Sequence, residues 1–109
     1  MAVRFFDLSI SPAEVLNTLI GEMDGDLLHH QYYPLSEDRG MGFTVFERFY
    51  RRINQHIVWV IHMQNLEGHT KGTLICSATR GPWNAALGEG DGEEYMDEVM
   101  GILDEYIVE

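Results

Sequence analysis

Between Gln55 and Asn65 the chain reads QHIVWVIHMQN. Ile57, Trp59, Ile61 and Met63 fall on one parity, and His56, Val58, Val60, His62 and Gln64 on the other. Alternation at period two, carried by β-branched and aromatic residues, specifies a strand. Its first face is wholly apolar and needs a core. Its second mixes valines with polar residues, which suits a face only partly given to water. The stretch is expected to be a central strand, with hairpin partners before and after it.

The neighbouring segments supply those partners. Ala2–Ser9 is a short candidate strand, with Arg4, Phe6 and Leu8 on one parity and Val3 and Phe5 on the other. Ser11-Pro12-Ala13-Glu14 then has the signature of a helix start: an N-cap serine, proline at the first helical position, and a glutamate closing a capping box. Val15, Leu16, Leu19, Ile20 and Met23 continue it as one apolar stripe to about Met23. After Asp24-Gly25-Asp26, the spacing predicts strands over Leu27–Tyr33, Gly42–Arg52 and Thr70–Thr79, with turns at Leu35–Met41, near Ile53-Asn54, and at Leu66–His69. Arg80–Gly90 reads as an irregular loop containing Pro82 and Trp83. Asp91-Gly92-Glu93-Glu94 suits the start of a last helix whose buried stripe is Tyr95, Val99, Ile102, Leu103 and Tyr106. The order is strand, helix, four strands, helix. It implies a single α+β domain over residues 1–109, a two-layer sandwich with a five-stranded antiparallel sheet and two helices on one face.

That order resembles the TATA-binding-protein type of fold, which hosts many unrelated functions. The chain has F-D-L-S-I-S-P-A-E-V-L at Phe6–Leu16, V-F-E-R-F-Y at Val45–Tyr50, N-L-E-G at Asn65–Gly68, and W-N-A-A-L-G-E-G before the last helix. With these motifs it resembles, over nearly its full length, a family of small bacterial proteins of unknown function. The likeness implies a stand-alone domain and brings no catalytic residues with it.

Charge narrows the partners. With 18 acids against 7 Lys and Arg, the net charge of −11 repels a phosphate backbone, so nucleic acid is not an expected partner. Six of the seven bases lie between Arg39 and Arg80, and nine of the acids follow Gly88. No apolar run approaches the ~18 residues of a membrane span, so no membrane is expected. The opening MAVRFFDLSIS lacks a basic segment followed by a long apolar run, and the single cysteine cannot form an internal disulfide. A cytoplasmic location is expected.

Chemical motifs are sparse. His29 and His30 are adjacent, so on a strand they point to opposite faces. His56 and His62 share a face but stand roughly 20 Å apart. Neither pair has chelating spacing, and no metal or cofactor is expected. Gly88-Glu89-Gly90-Asp91-Gly92 superficially resembles a phosphate loop, but its carboxylates would oppose an anion. Cys76 lies on the apolar parity of its strand, where an inert buried thiol is the normal outcome. Glu47 and Arg48 stand inside an otherwise apolar strand, and one of them should point towards the core side unless a bulge re-aims it.

The uncovered face of the sheet remains as the candidate site. An odd-length turn at Ile53–Gln55 would place Phe43, Val45 and Phe49 on the helix side. It would set Phe46, Arg48, Tyr50, His56, Val58, Val60, His62 and Ile75 outside as an apolar centre with a polar rim. Apolar centres with polar rims build interfaces, and a two-fold pairing needs one self-complementary patch. The expected function is association, as a homodimer through this face. The alternative is a small-molecule-binding protein or enzyme, with a pocket between sheet and helices roofed by the Trp83 loop and containing Glu47, Arg48 or His62.

Overall fold

The computed structural model describes residues 2–51, 54–79 and 95–108. The elements are β1 (Ala2–Leu8), α1 (Pro12–Glu22), β2 (Asp26–Pro34), β3 (Gly40–Tyr50), β4 (Gln55–Gln64), β5 (Thr70–Thr79), α2 (Met96–Leu103), a 3-10 turn at Asp104–Tyr106, and β6 (Ile107–Val108). The fold is α+β: an open antiparallel sheet ordered β2-β3-β4-β5-β1-β6, and two helices. Consecutive hairpins lay down β2 to β5, while α1 carries the chain from β1 to the far edge of the sheet. The Arg80–Gly90 loop with Trp83, the Gly88–Gly92 stretch and the Asp91–Glu94 helix start lie outside the described residues.

Local chemistry sets α1. The Glu14 N–H donates to Ser11 Oγ at 3.2 Å, and the Ser11 N–H donates to Glu14 Oε1 at 3.1 Å. These two bonds satisfy donors that the first turn would otherwise leave unpaired. They also hold the Glu14 carboxyl below its ordinary range, the Ser11 backbone N–H being the main cause. A depressed carboxyl contributes stability above its unfolded pKa and loses it as pH falls through the folded value. Ser11→Ala removes the Oγ acceptor of the cap and should cost about 1 kcal/mol, the usual loss for an N-cap, read from the urea midpoint. An unchanged midpoint would show that packing alone holds the helix start.

The core lies between one face of the sheet and both helices. Ile57, Trp59, Ile61 and Met63 are each fully buried, as are Leu74 and Cys76 on β5. Val15 and Leu19 from α1 and Met96, Val99 and Leu103 from α2 close over them in one cluster. The opposite parity of β4 is exposed or half-buried throughout.

Two expectations are corrected. The sheet has six strands instead of five, because the last helix stops at Leu103 and Tyr106-Ile107 leaves the helical path. Ile107 and Val108 pair with Leu8 and Asp7, capping the outer edge of β1, and the Ser9 N–H donates to the Tyr106 carbonyl at 2.8 Å. Two β-branched residues beside unpaired strand groups gain more as ladder than as a last helical turn.

The second correction is the register of β3. Tyr50 pairs with Gln55, so four residues, 51–54, separate the two strands in sequence, with Asn54 in the left-handed region at φ 53°. Phe46 then stands opposite Trp59 and Thr44 opposite Ile61, both on the helix side. Because side chains alternate, this one-residue change in turn length moves the whole set of β3 side chains to the other face.

Candidate functional site

The corrected register rebuilds the outer face. One row of directly paired residues crosses five strands: His29, Val45, Val60, Ile75 and Val3. The next row is Gln31, Phe43, His62, Thr73 and Phe5. Phe5 is the most exposed large apolar side chain at 75%, and Val3 and Phe49 stand 47% and 45% exposed. Val45, Val60, Ile75 and Val3 make an apolar row on a face that neither helix covers, with Phe5 and Phe43 interleaved among polar Gln31, His62 and Thr73, and Phe49 opposite His56.

Five of the eight residues expected on this face are there: His56, Val58, Val60, His62 and Ile75. The other three are on the helix side. Phe46 is 2% exposed and fills the core beside Trp59. Arg48 reaches past the end of α1, where its Nη1 donates to Asp24 Oδ2 at 2.6 Å, and its guanidinium lies 4.8 Å from the Tyr50 ring centre. Tyr50 packs against the Tyr95 ring and donates its O–H to Glu98 Oε1 at 3.5 Å. Burial, then the Glu98 charge, pushes the Tyr50 hydroxyl upward. Val3, Phe5, Phe43, Val45 and Phe49 take the vacated places outside. Period-two alternation on β1 and β3 had already paired these residues among themselves, and only the turn length was needed to orient them.

Glu47, which the odd-length turn would have aimed inward, faces outward, where the Nδ1 of His56 lies 2.7 Å from its Oε1 with the imidazole N–H donating. The His56 ring also packs against Phe49 at 4.7 Å. At the other end of the face, His69 Nε2 lies 3.4 Å from Asp7 Oδ1, and Lys71 is bonded to Glu67. Glu47, Asp7 and Glu67 therefore have N–H or ammonium partners, whereas Asp26, opposite Glu47, adds an open negative charge at the β2 end of the face. The helix layer differs: Glu14, Glu22, Asp97, Glu98, Asp104 and Glu105 lie on it, and α1, α2 and the 3-10 turn contain no lysine or arginine.

Two depressions open at the ends of the outer face. One, of about 370 Å³, is lined by Asp24, Gly25, Asp26, Glu47, Arg48 and Phe49. The other, of about 450 Å³, is lined by Phe5, Asp7, Gln64, Lys71 and Thr73 beside the backbone of β1 and β5. Among the described residues, no three of the His, Cys, Asp and Glu side chains converge as metal ligands would. No described helix is long and apolar enough to cross a membrane. Cys76 is fully buried, and burial pushes its thiol up to about 11. A thiol reagent at pH 8 should therefore label the native protein slowly and the urea-unfolded chain at once. Rapid native labelling would contradict this placement. Neither protein-family models, curated proteins nor solved structures match the chain.

Proposed function

We propose that this protein acts by association, as a cytoplasmic homodimer joined through the uncovered face of the sheet. The carrying observation is the apolar row Val45–Val60–Ile75–Val3, bordered by Phe5, Phe43 and Phe49, on the face of the sheet that neither helix covers. Charge supports a second copy as the occupant. Two chains of net charge −11 repel each other, and their helix layers most of all. Sheet against sheet is the approach that keeps the acidic layers apart and buries apolar surface.

The area is of the right order. Five strands about 4.8 Å apart and roughly eight residues long give a face of roughly 600 Å² in projection, more when the relief of the side chains is followed. A stable interface takes about 800 Å² from each partner. The TATA-binding-protein likeness of the element order belongs to fold and adds nothing to this reading.

Val60 sits at the middle of the row, so Val60→Arg puts a charge from each copy near the two-fold axis. Sedimentation equilibrium at about 20 μM should give a dimer for the wild type and a folded monomer for the variant. A monomeric wild type, or a variant dimer of unchanged strength, sinks the proposal. The circular dichroism of the variant confirms that any monomer is folded.

A further inference from the structure

Among the described residues, β2 forms the outer edge of the sheet and bonds to β3 on one side only. Every residue from Asp26 to Pro34 is exposed except half-buried Tyr32, and neither the strand nor Leu35 beyond it contains a lysine or arginine. Leu28 and Tyr33 are 54% and 47% exposed, and Leu35 in the following turn is 53% exposed. Long apolar edges invite pairing with another chain, and proteins usually guard them with lysine, inward charge or proline. A bulge between Leu27 and His29 guards one end of the strand and Pro34 the other, and from His29 to Tyr33 no guard is present.

The regular part of this edge is mirrored in ring-bearing residues. Around Gln31, His30 is mirrored by Tyr32 and His29 by Tyr33, and the bulge between Leu27 and His29 on one side and Pro34 on the other bound the mirrored stretch. An antiparallel pairing centred on Gln31 brings these mirrored residues opposite one another. The regular register from His29 onward puts His29, Gln31 and Tyr33 on the outer side, and His30 and Tyr32 on the helix side. Each cross-edge pair therefore shares a face: His29 with Tyr33, His30 with Tyr32, and Gln31 with its own copy. Aromatic cross-strand pairs of this kind are favourable, and no like charges are opposed.

We infer that β2 is a second self-association surface, joining two copies edge to edge about a two-fold axis at Gln31 into one continuous sheet. The axis stands normal to the sheet, whereas the face dimer's axis lies parallel to it, so edge pairing adds copies beyond that dimer. A single strand edge buries less area than the face. Its pairing belongs to the weak class of interface, populated at about 1 mM and sparse at about 20 μM.

The test uses the Val60→Arg chain, which removes the face contact, with sedimentation equilibrium at about 1 mM. That chain should dimerise. Adding Gln31→Lys or Gln31→Glu opposes like charges on the axis and should weaken the dimer about tenfold or more. Mixing the Lys and Glu variants opposes unlike charges and should restore a heterodimer. A Val60→Arg chain that stays monomeric at that concentration overturns the inference, as does a dimer indifferent to both changes at Gln31. If Val60→Arg leaves the assembly at 20 μM intact, the face reading falls. The Gln31 comparison in the wild-type chain then still judges the edge.

Discussion

Trp59→Ala is expected to lower the unfolding free energy by about 3–5 kcal/mol, the range for deleting a large buried aromatic side chain. Trp59 is the largest fully buried side chain of the core and stands on β4, in the middle of the sheet. Phe46 and Cys76 flank it from β3 and β5. Its indole N–H donates to the Tyr95 carbonyl at 2.9 Å, just before α2 begins. The change therefore opens a cavity and removes a bond tying the last helix to the sheet. Trp59→Phe separates the two effects, keeping much of the ring and losing the donor, and should cost about 1–3 kcal/mol. A domain of this size has about 5–15 kcal/mol in total, so the loss removes a large share of the whole. Urea titration followed by circular dichroism measures both. An alanine variant within about 1 kcal/mol of the wild type would mean that Trp59 is not the centre of the core.

What the sequence made legible was local. The Ser11–Glu14 capping box is written in four consecutive residues, and the structure forms both of its bonds. The bounds of β5 and the parity of β4 follow from alternation that needs no knowledge of the neighbours. The last turn of the chain was not local. Ile102, Leu103, Tyr106 and Ile107 fit helical spacing, and only the open edge of β1 explains why Ile107 is extended.

The candidate face shows the same division. Residues on β4 and β5 were placed correctly because their parity was anchored by Ile57, Trp59, Leu74 and Cys76. Those on β3 depended on a turn, and the alternation of that strand is apolar on both sides, so hydrophobicity could not orient it. Glu47 held the signal that decides it. An inward Glu47 would be a carboxylate in the core, a cost of several kcal/mol, whereas an outward Glu47 meets His56. Thr44 is the concession of the observed register. Its buried hydroxyl has no hydrogen-bond partner, a smaller penalty than a buried charge.

Glycines in two strands had a meaning that alternation hides, and the second large effect rests on them. On the helix side of the sheet, Gly42 and Gly72 flank Met63 from either strand, with Tyr32 beyond one and Phe6 beyond the other. The Phe6 ring covers Gly72 so closely that an added Cβ would lie 2.3 Å from its Cε2 and 2.7 Å from its Cζ. An aromatic ring laid across a neighbouring glycine gives back the packing that the missing side chain forfeits. Gly72→Ala sets two effects against each other. Restricting the unfolded chain contributes about 0.4–1 kcal/mol in favour of the variant. Displacing Phe6, itself only 8% exposed, costs about 1–3 kcal/mol as overpacking, so the net change should be a loss. Gly101→Ala is the matching control, since its Cβ meets nothing within 4 Å and α2 gains helix propensity, for about 0.5–1 kcal/mol of added stability. Adding Phe6→Leu to Gly72→Ala should cost less than Phe6→Leu costs in the wild type, because the shorter side chain clears the new methyl. If Gly72→Ala stabilises the protein as Gly101→Ala does, the ring does not lie on that glycine. If Phe6→Leu costs the same in both backgrounds, the two residues are not coupled and the close approach is not what keeps residue 72 small.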